Sequence, residues 1–288
     1  MSAEFSLKQL RIFRQSLRDI VPTLDMGATS DYERLSAQFE EARSWKDKEG
    51  RRRLAWLRKT DPDHPLFGTV GLLGPMQMGL RELAHTSLLA WFLDPAQDHG
   101  FGASLLEILL RHLVGGKARR TDHVRVTAES YLGPDNGRVD VHIAGQWRNA
   151  TTNADWLLLI EAKIRAPEDA KQQKRYDNYV RHWQNQHIGG QVFKVYLAPV
   201  ASQNKAGKRG AQHPGDWIRL DYEDMVDLFW RAGRTQRDGA SYAFLRYYLT
   251  GVLKDIMDWP IPLAADRIPY EAIDLLPKAA PHVASELA

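Results

Sequence analysis

The feature that most constrains the fold is a short apolar run, Trp156–Ile160, followed at once by Glu161-Ala162-Lys163. Side chains of a strand alternate between its two faces, so apolar residues at consecutive positions predict a strand that is buried on both sides. Such a strand lies inside a sheet that has packing layers above and below it. Glu161 and Lys163 share one face of this strand, and burying charges there is costly unless each has a partner.

A second strand is predicted at Arg138–Gly145, and the polar linker Arg148–Asn153 joins it to the apolar run. A hairpin symmetric about the middle of this linker places Asp140 opposite Glu161, about 5 Å apart at Cβ. Two such carboxylates repel each other, and a hard divalent cation between them offsets the repulsion better than Lys163 alone. The alternative is a partly exposed ladder of charges on a one-sided sheet, and a bulge would shift the pairing by one residue. Apolar neighbours on both faces favour the buried pair.

The remaining sequence predicts helices around these strands. Apolar residues recur at helical spacing through most of the first 60 residues, including a helix around Phe5–Leu17, and again near residues 80–91, 103–113, 168–186, 222–232 and 242–257. Further strands are predicted at 123–132, 192–198 and 217–220. This order predicts an α/β fold with a mixed central sheet flanked by helices. We expect an N-terminal helical region (1–75), a core (76–258) and a Pro-rich C-terminal tail (259–288).

Composition excludes several classes of protein. The 288 residues include no cysteine, so disulfides, thiolate metal sites and cysteine nucleophiles are excluded, and any metal must be held by oxygen or imidazole. No apolar run approaches the ~18 residues of a membrane span, and the N-terminus has no apolar signal region, so we expect a cytoplasmic protein without membrane association. The sequence contains no P-loop, no G-x-S-x-G and no H-E-x-x-H motif.

The charged positions also carry a family resemblance. Asp140, followed about twenty residues later by Glu161-x-Lys163 on the next strand, resembles the core signature of the PD-(D/E)XK nuclease superfamily. Residues 81–102 resemble the helical opening of a bacterial branch that reads E-x-x-H-S, L-A-W-L-L-D-P and H-G-x-G, with Thr86 where Ser is usual. Gln172 and Tyr176 match a Q-x-x-x-Y element. The resemblance covers about residues 78–235, and Val139 stands where Pro is common.

The resemblance implies a restriction-endonuclease-like core with an N-terminal helical extension, and a metal-dependent phosphodiesterase. Asp140, Glu161 and the backbone carbonyl of Ala162 would hold Mg²⁺, for which Mn²⁺ would substitute. Lys163 would orient the attacking water and balance charge, and Glu82 would complete the site. The substrate is expected to be nucleic acid, with DNA favoured over RNA. Related families serve in restriction, repair or anti-phage defence.

Several candidate residues have a second interpretation. Gln172 and Tyr176 lie on one helix face and are candidates for substrate binding, but Tyr176 also belongs to the apolar stripe of its helix. Glu82 is alternatively an exposed first-turn glutamate favoured by the helix dipole. The loop 202–215 is a candidate phosphate-contacting flap or a solvated loop. Its basic residues are Lys205, Lys208 and Arg209.

The main alternative to an enzyme is a non-catalytic nucleic-acid-binding module, or a regulatory subunit of a larger assembly that keeps the nuclease fold. The intact Asp140, Glu161 and Lys163 set argues against it, because a pure binder does not need two buried carboxylates facing phosphate. Homo-oligomerisation or a protein partner stays open.

Overall fold

The computed structural model describes residues 29–115, 120–148, 154–165, 170–199, 217–236 and 239–266, together with 268 and 276. The helix predicted around Phe5–Leu17 lies outside these residues. The basic loop residues Lys205, Lys208 and Arg209 lie outside them as well.

The described residues form helices around one sheet. The α-helices are α1 (Thr29–Thr60), α2 (Glu82–Leu93), α3 (Ser104–Leu113), α4 (Ala170–Gln186), α5 (Tyr222–Gly233) and α6 (Ala240–Gly251). The strands are β1 (Arg120–Tyr131), β2 (Arg138–Arg148), β3 (Ala154–Ala162), β4 (Gln191–Leu197) and β5 (Trp217–Leu220). Short 3₁₀ turns occur at Pro65–Phe67 and Gly74–Met76, and a π-helix, Val252–Ile256, continues α6.

The five strands lie in chain order across the sheet. β1, β2 and β3 form an antiparallel meander, whereas β4 and β5 add to β3 in parallel. Val141 pairs with Ile160 and His142 with Leu159, which is the register predicted from the hairpin linker. β2 runs three residues past its predicted end at Gly145, because Trp147 is buried and pairs with Ala154 of β3.

Packing on both sides of the sheet explains the apolar run in β3. Leu158 and Ile160 belong to the large core formed with α2, α3, α5 and α6. Leu157 and Leu159 point the other way and pack against α4. Alternation therefore sends consecutive apolar residues into two separate cores, as expected for a strand covered on both faces. The mixed sheet flanked by helices agrees with the predicted fold class.

Residues from the N-terminal helix and the C-terminal segment enter the large core. Leu54 and Leu57 of α1 are 3% exposed, and Leu276 is 1% exposed. The N–H of Leu263 donates to the carbonyl of Leu66 at 2.7 Å. The division of the chain near residues 75 and 259 stays a prediction, and these buried contacts cross both boundaries. Among the described residues, no helix is long and apolar enough to cross a membrane.

Candidate active site

The ends of β2 and β3 bring two carboxylates together. The backbone ladder between these strands ends with the pair of Val141 and Ile160, and beyond it the Asp140 side chain bonds the backbone of β3. Asp140 Oδ2 accepts a hydrogen bond from the backbone N–H of Ala162 at 2.7 Å. Glu161 lies next along β3 and is only 3% exposed. A side chain, rather than a backbone carbonyl, thus closes the sheet at this point.

The buried Glu161 carboxylate has a donor on each oxygen. Gln172 Nε2 donates to Oε1 at 2.8 Å, and the Tyr176 hydroxyl lies 2.8 Å from Oε2. The Lys163 ammonium also contacts Oε1. Charge-assisted hydrogen bonds of this kind offset the cost of taking a carboxylate out of water. Residues from α4 and β3 therefore hold Glu161 in a single orientation.

The Tyr176 hydroxyl connects α4 to the ends of both strands. It accepts a hydrogen bond from Gln172 Nε2 at 2.7 Å and lies 2.6 Å from the carbonyl oxygen of Arg138. Burial, together with the charge of Glu161, raises the pKa of Tyr176, so the phenol keeps its one proton and donates it to Glu161 or to Arg138. The ring packs in the apolar layer beside Leu159. The ring lies in the core, as the apolar stripe of its helix predicted, and the hydroxyl contacts Glu161 and the Arg138 carbonyl. A role of Gln172 and Tyr176 in substrate binding stays a prediction.

Glu82 meets the same strand end from the other side of the sheet. It is the first residue of α2, and its Oε1 accepts the backbone N–H of Ile164 at 2.9 Å. Its Oε2 lies 4.0 Å from Lys163 Nζ, and a third of the side chain is exposed. Glu82 thus holds the chain just after Lys163 in place, which an exposed helix-end glutamate would not do.

The electrostatics of the site follow from crowding carboxylates in a half-buried place. Burial, and then the nearby charge of Glu161, raises the pKa of Asp140 to about 7, against the opposing effects of the Ala162 N–H and Lys163. Burial by itself would lower the pKa of Lys163, but its hydrogen bond to Glu161 and the surrounding carboxylates outweigh burial and raise it. Lys163 is therefore a cation at neutral pH and a poor general base.

The donors fit a hard cation that keeps much of its water. Among the described residues, no group of three or more His, Asp and Glu side chains could hold a metal by themselves. Mg²⁺ is typically held by one or two carboxylates and completes its six oxygen ligands with water and substrate phosphate. Asp140 and Glu161 supply that number of carboxylates.

Two histidines of the helical opening have structural roles. His85 Nε2 donates to the carbonyl of Gly79 at 2.9 Å and is buried. His99 Nε2 donates to the carbonyl of Asp94 at 2.9 Å, and its Nδ1 accepts the N–H of Phe101 at 3.1 Å. These bonds order the turns before α2 and α3.

Most of the predicted site residues therefore meet at one place. Those brought together are Glu82, Asp140, Glu161, Ala162, Lys163, Gln172 and Tyr176. Two backbone groups that complete the arrangement were not predicted from the sequence: the Ile164 N–H and the Arg138 carbonyl. Backbone groups exist at every position, so no side-chain pattern identifies them.

Comparison with known proteins identifies a family for this chain. A family model described as the PD-(D/E)XK nuclease superfamily matches residues 73–250. A search of curated proteins finds no significant match. One solved structure, the MspJI restriction endonuclease in complex with a 27-mer oligonucleotide, aligns with 66% of this chain and 38% of its own, at 14% identity and a TM-score of 0.25. A likeness this weak carries no argument, and the chain spans well under half of that enzyme. The match over more than half of the sequence shows that this chain belongs to the PD-(D/E)XK nuclease superfamily.

Proposed function

We infer that this protein is a nuclease that uses a divalent metal ion, Mg²⁺ with Mn²⁺ as a substitute, to hydrolyse phosphodiester bonds in nucleic acid, with DNA as the expected substrate. One observation carries the inference: two carboxylates and a cationic lysine converge at the end of β3, each in contact with a partner. A protein gains no stability by burying two like charges side by side, so a chemical task accounts for them better than a structural one.

The metal ligands in this proposal are Asp140, Glu161 and the backbone carbonyl of Ala162. The Ala162 N–H faces the Asp140 carboxylate. In an extended strand the N–H and C=O of one residue leave the same edge of the strand, so the Ala162 carbonyl faces Asp140 as well. With these three oxygens as ligands, the remaining positions around the ion would be left to water and substrate phosphate.

The chemistry divides between the ion and the side chains. A bound divalent cation supplies polarisation of the scissile phosphate and a lowered pKa for the attacking water. Lys163 stays protonated, and its ammonium orients that water and offsets the negative charge that builds up on the phosphate. Gln172 and Tyr176 act through Glu161 and are positioning residues. Glu82 positions the chain around Lys163 through the Ile164 N–H.

Cleavage assays test this function directly. Plasmid, linear duplex, single-stranded DNA and RNA are each incubated with Mg²⁺, Mn²⁺ or EDTA, using the native protein, Asp140→Ala and Lys163→Ala. We expect metal-dependent cleavage that both variants lose and that Lys59→Ala, a charge removal on the exposed end of α1, retains. The preferred polymer then identifies the substrate class.

The alternative function, a binding module without catalysis, predicts a different pattern. Nucleic acid would bind the native protein in a metal-dependent way and stay intact in every reaction. Titration calorimetry with Mg²⁺ tests the metal site in both cases, because the nuclease and a metal-dependent binder both need Asp140 for metal affinity. The cleavage assay of Lys163→Ala separates them, because only the nuclease needs Lys163 to form product. Cleavage that Lys163→Ala leaves unchanged would contradict the roles assigned above.

A further inference from the structure

A groove of about 480 Å³ lies beside the candidate active site. One wall is the segment 74–80 that leads into α2, and the opposite wall is the π-helix with the residues after it. Ile164 and Arg165, which follow Lys163 directly, form the end nearest the carboxylates. Because the Ile164 N–H donates to Glu82, the groove and the site share this stretch of chain.

Asp255 is the unusual residue of this groove. It lines the groove from the π-helix, and its Oδ2 is buried without a hydrogen-bond donor among the described residues. A Cβ atom at Gly79 would lie 2.5 Å from Oδ2, and one at Gly74 would lie 3.2 Å away. The segment before α2 therefore uses glycine to pass close to this carboxylate. Leaving a buried carboxylate oxygen without a donor costs more than about 1 kcal/mol, and π-helices occur frequently at functional sites.

The rest of the groove offers charge and apolar surface. Its exposed charged lining consists of two cations, Arg165 and Lys254, and one carboxylate, Asp258. Leu80 lines the groove and is 39% exposed, and two exposed apolar residues are near it in the sequence, Met76 (53%) and Leu83 (59%). Cations of this kind suit phosphate, a carboxylate suits an amino group, and exposed apolar side chains suit the face or edge of a base.

We propose that this groove is a nucleotide subsite that takes one unpaired nucleotide of the substrate strand, with Asp255 accepting a hydrogen bond from the amino group of its base. Arg165 and Lys254 contact the phosphates on either side, and the apolar rim stacks against the neighbouring base. The terminal torsion of an aspartate is broad and two-fold, so a donor in the groove meets either carboxylate oxygen. The proposal rests on the function inferred above and adds a substrate class to it.

The recessed position of Asp255 favours an unpaired base over a duplex. The carboxylate lies against the glycines of the opposite wall, so a base must enter the groove to reach it. A paired base is held in its stack, and taking it out costs a few kcal/mol, whereas a single strand has no such cost. Cytosine presents a free amino group and thymine presents none, so the carboxylate discriminates between the two.

Binding of oligo(dC) and oligo(dT) tests the subsite without relying on cleavage. Fluorescence anisotropy measures both single strands on Asp140→Ala, in which the substrate stays intact. We expect oligo(dC) to bind about fivefold tighter, the factor that a discrimination of about 1 kcal/mol gives. Asp255→Asn, whose amide also donates, is expected to bring the ratio close to one. Asp98→Asn is the matched control, since this exposed residue follows the far end of α2, about 18 Å along the helix.

Lys254→Gln tests the phosphate contact separately. We expect it to weaken both strands by the same factor and to reduce the dependence of affinity on salt. Equal affinity for oligo(dC) and oligo(dT), no measurable binding of either, or a preference that Asp255→Asn retains would each overturn the subsite. The first comparison uses the native Asp255, so it stands even if the Asn variant folds poorly. Metal-dependent cleavage with no base preference would overturn the subsite and support the nuclease function. A base preference in binding without any cleavage would support the subsite and overturn the nuclease function.

Discussion

Replacing Asp140 with asparagine should stabilise the metal-free protein, and by an amount that grows with pH. The pKa of Asp140 rises from 3.8 to about 7 on folding, chiefly through burial and the charge of Glu161. Below pH 3.8 both states hold the proton and folding is unaffected. Between the two values the unfolded chain loses its proton while the folded protein keeps it, so the native protein loses stability as pH rises.

The size of this effect follows from the shift. About 1.4 kcal/mol per pKa unit over about three units gives an upper limit of about 4 kcal/mol above pH 7. Asparagine avoids that cost and its amide oxygen still accepts the Ala162 N–H, but its amide hydrogens enter a half-buried place without assured acceptors. That loss is worth about 1–2 kcal/mol, so we expect a net gain of about 2 kcal/mol.

Urea unfolding in EDTA at about pH 4.5, 6 and 7.5 measures the gain. The difference between Asp140→Asn and the native protein should be near zero at the lowest pH and largest at the highest, and Asp98→Asn should give no such trend. Added Mg²⁺ should raise the stability of the native protein and not that of the variant. A variant that is less stable than the native protein at pH 7.5 would refute the reasoning.

Three further substitutions test other parts of the structure. Burial, and then the charges of two nearby arginines, lowers the pKa of His64 to about 3, so below pH 6.5 the unfolded chain takes up this proton before the folded protein does. At about pH 5 the free energy of unfolding of the native protein should therefore be about 2 kcal/mol lower than at neutral pH, and His64→Gln should not show this loss. The urea midpoints in neutral and acid buffer measure the difference. Tyr176→Phe removes a hydroxyl that contacts a buried carboxylate and should cost about 2 kcal/mol, whereas Tyr179→Phe on the same helix removes a contact to a neutral ring and should cost about 1; equal losses would contradict the assigned network. Gly145→Ala places a Cβ 2.5 Å from the buried ring of Trp156 and should lower the free energy of unfolding by about 1–3 kcal/mol, and an unchanged urea midpoint would show that this strand has room to spare.

The strands and their register were accessible from the sequence because they depend on short-range patterns. Alternation of side chains along β3 explains why five consecutive apolar residues mark a strand covered on both faces. The linker between β2 and β3 is short, so its midpoint defined the pairing, which ends with Val141 and Ile160 next to Asp140 and Glu161. The pattern of Asp140, Glu161 and Lys163 then pointed to a superfamily that the comparison bears out.

The contacts of the helices with the site were harder to predict from the sequence. Gln172 and Tyr176 were recognised as sharing a face, but their partner, Glu161, depends on how α4 packs across β3. The same holds for Glu82, which lies 82 positions before the N–H that it accepts. Contacts across such separations are decided by how the layers pack, and no local periodicity encodes the distance between two layers.

Local sequence thus determined which segments are strands, how the central hairpin pairs and which charged groups lie at its end. A strand's faces and a hairpin's register are properties of a few neighbouring residues. Only the tertiary structure decided that backbone groups hold Asp140 and Glu82 and that Lys163 stays cationic. It also decided that Asp255 Oδ2 lies close to Gly74 and Gly79 without a donor among the described residues. These properties arise from burial and from charges that distant segments bring together, and how far a group is buried is decided only when the layers pack.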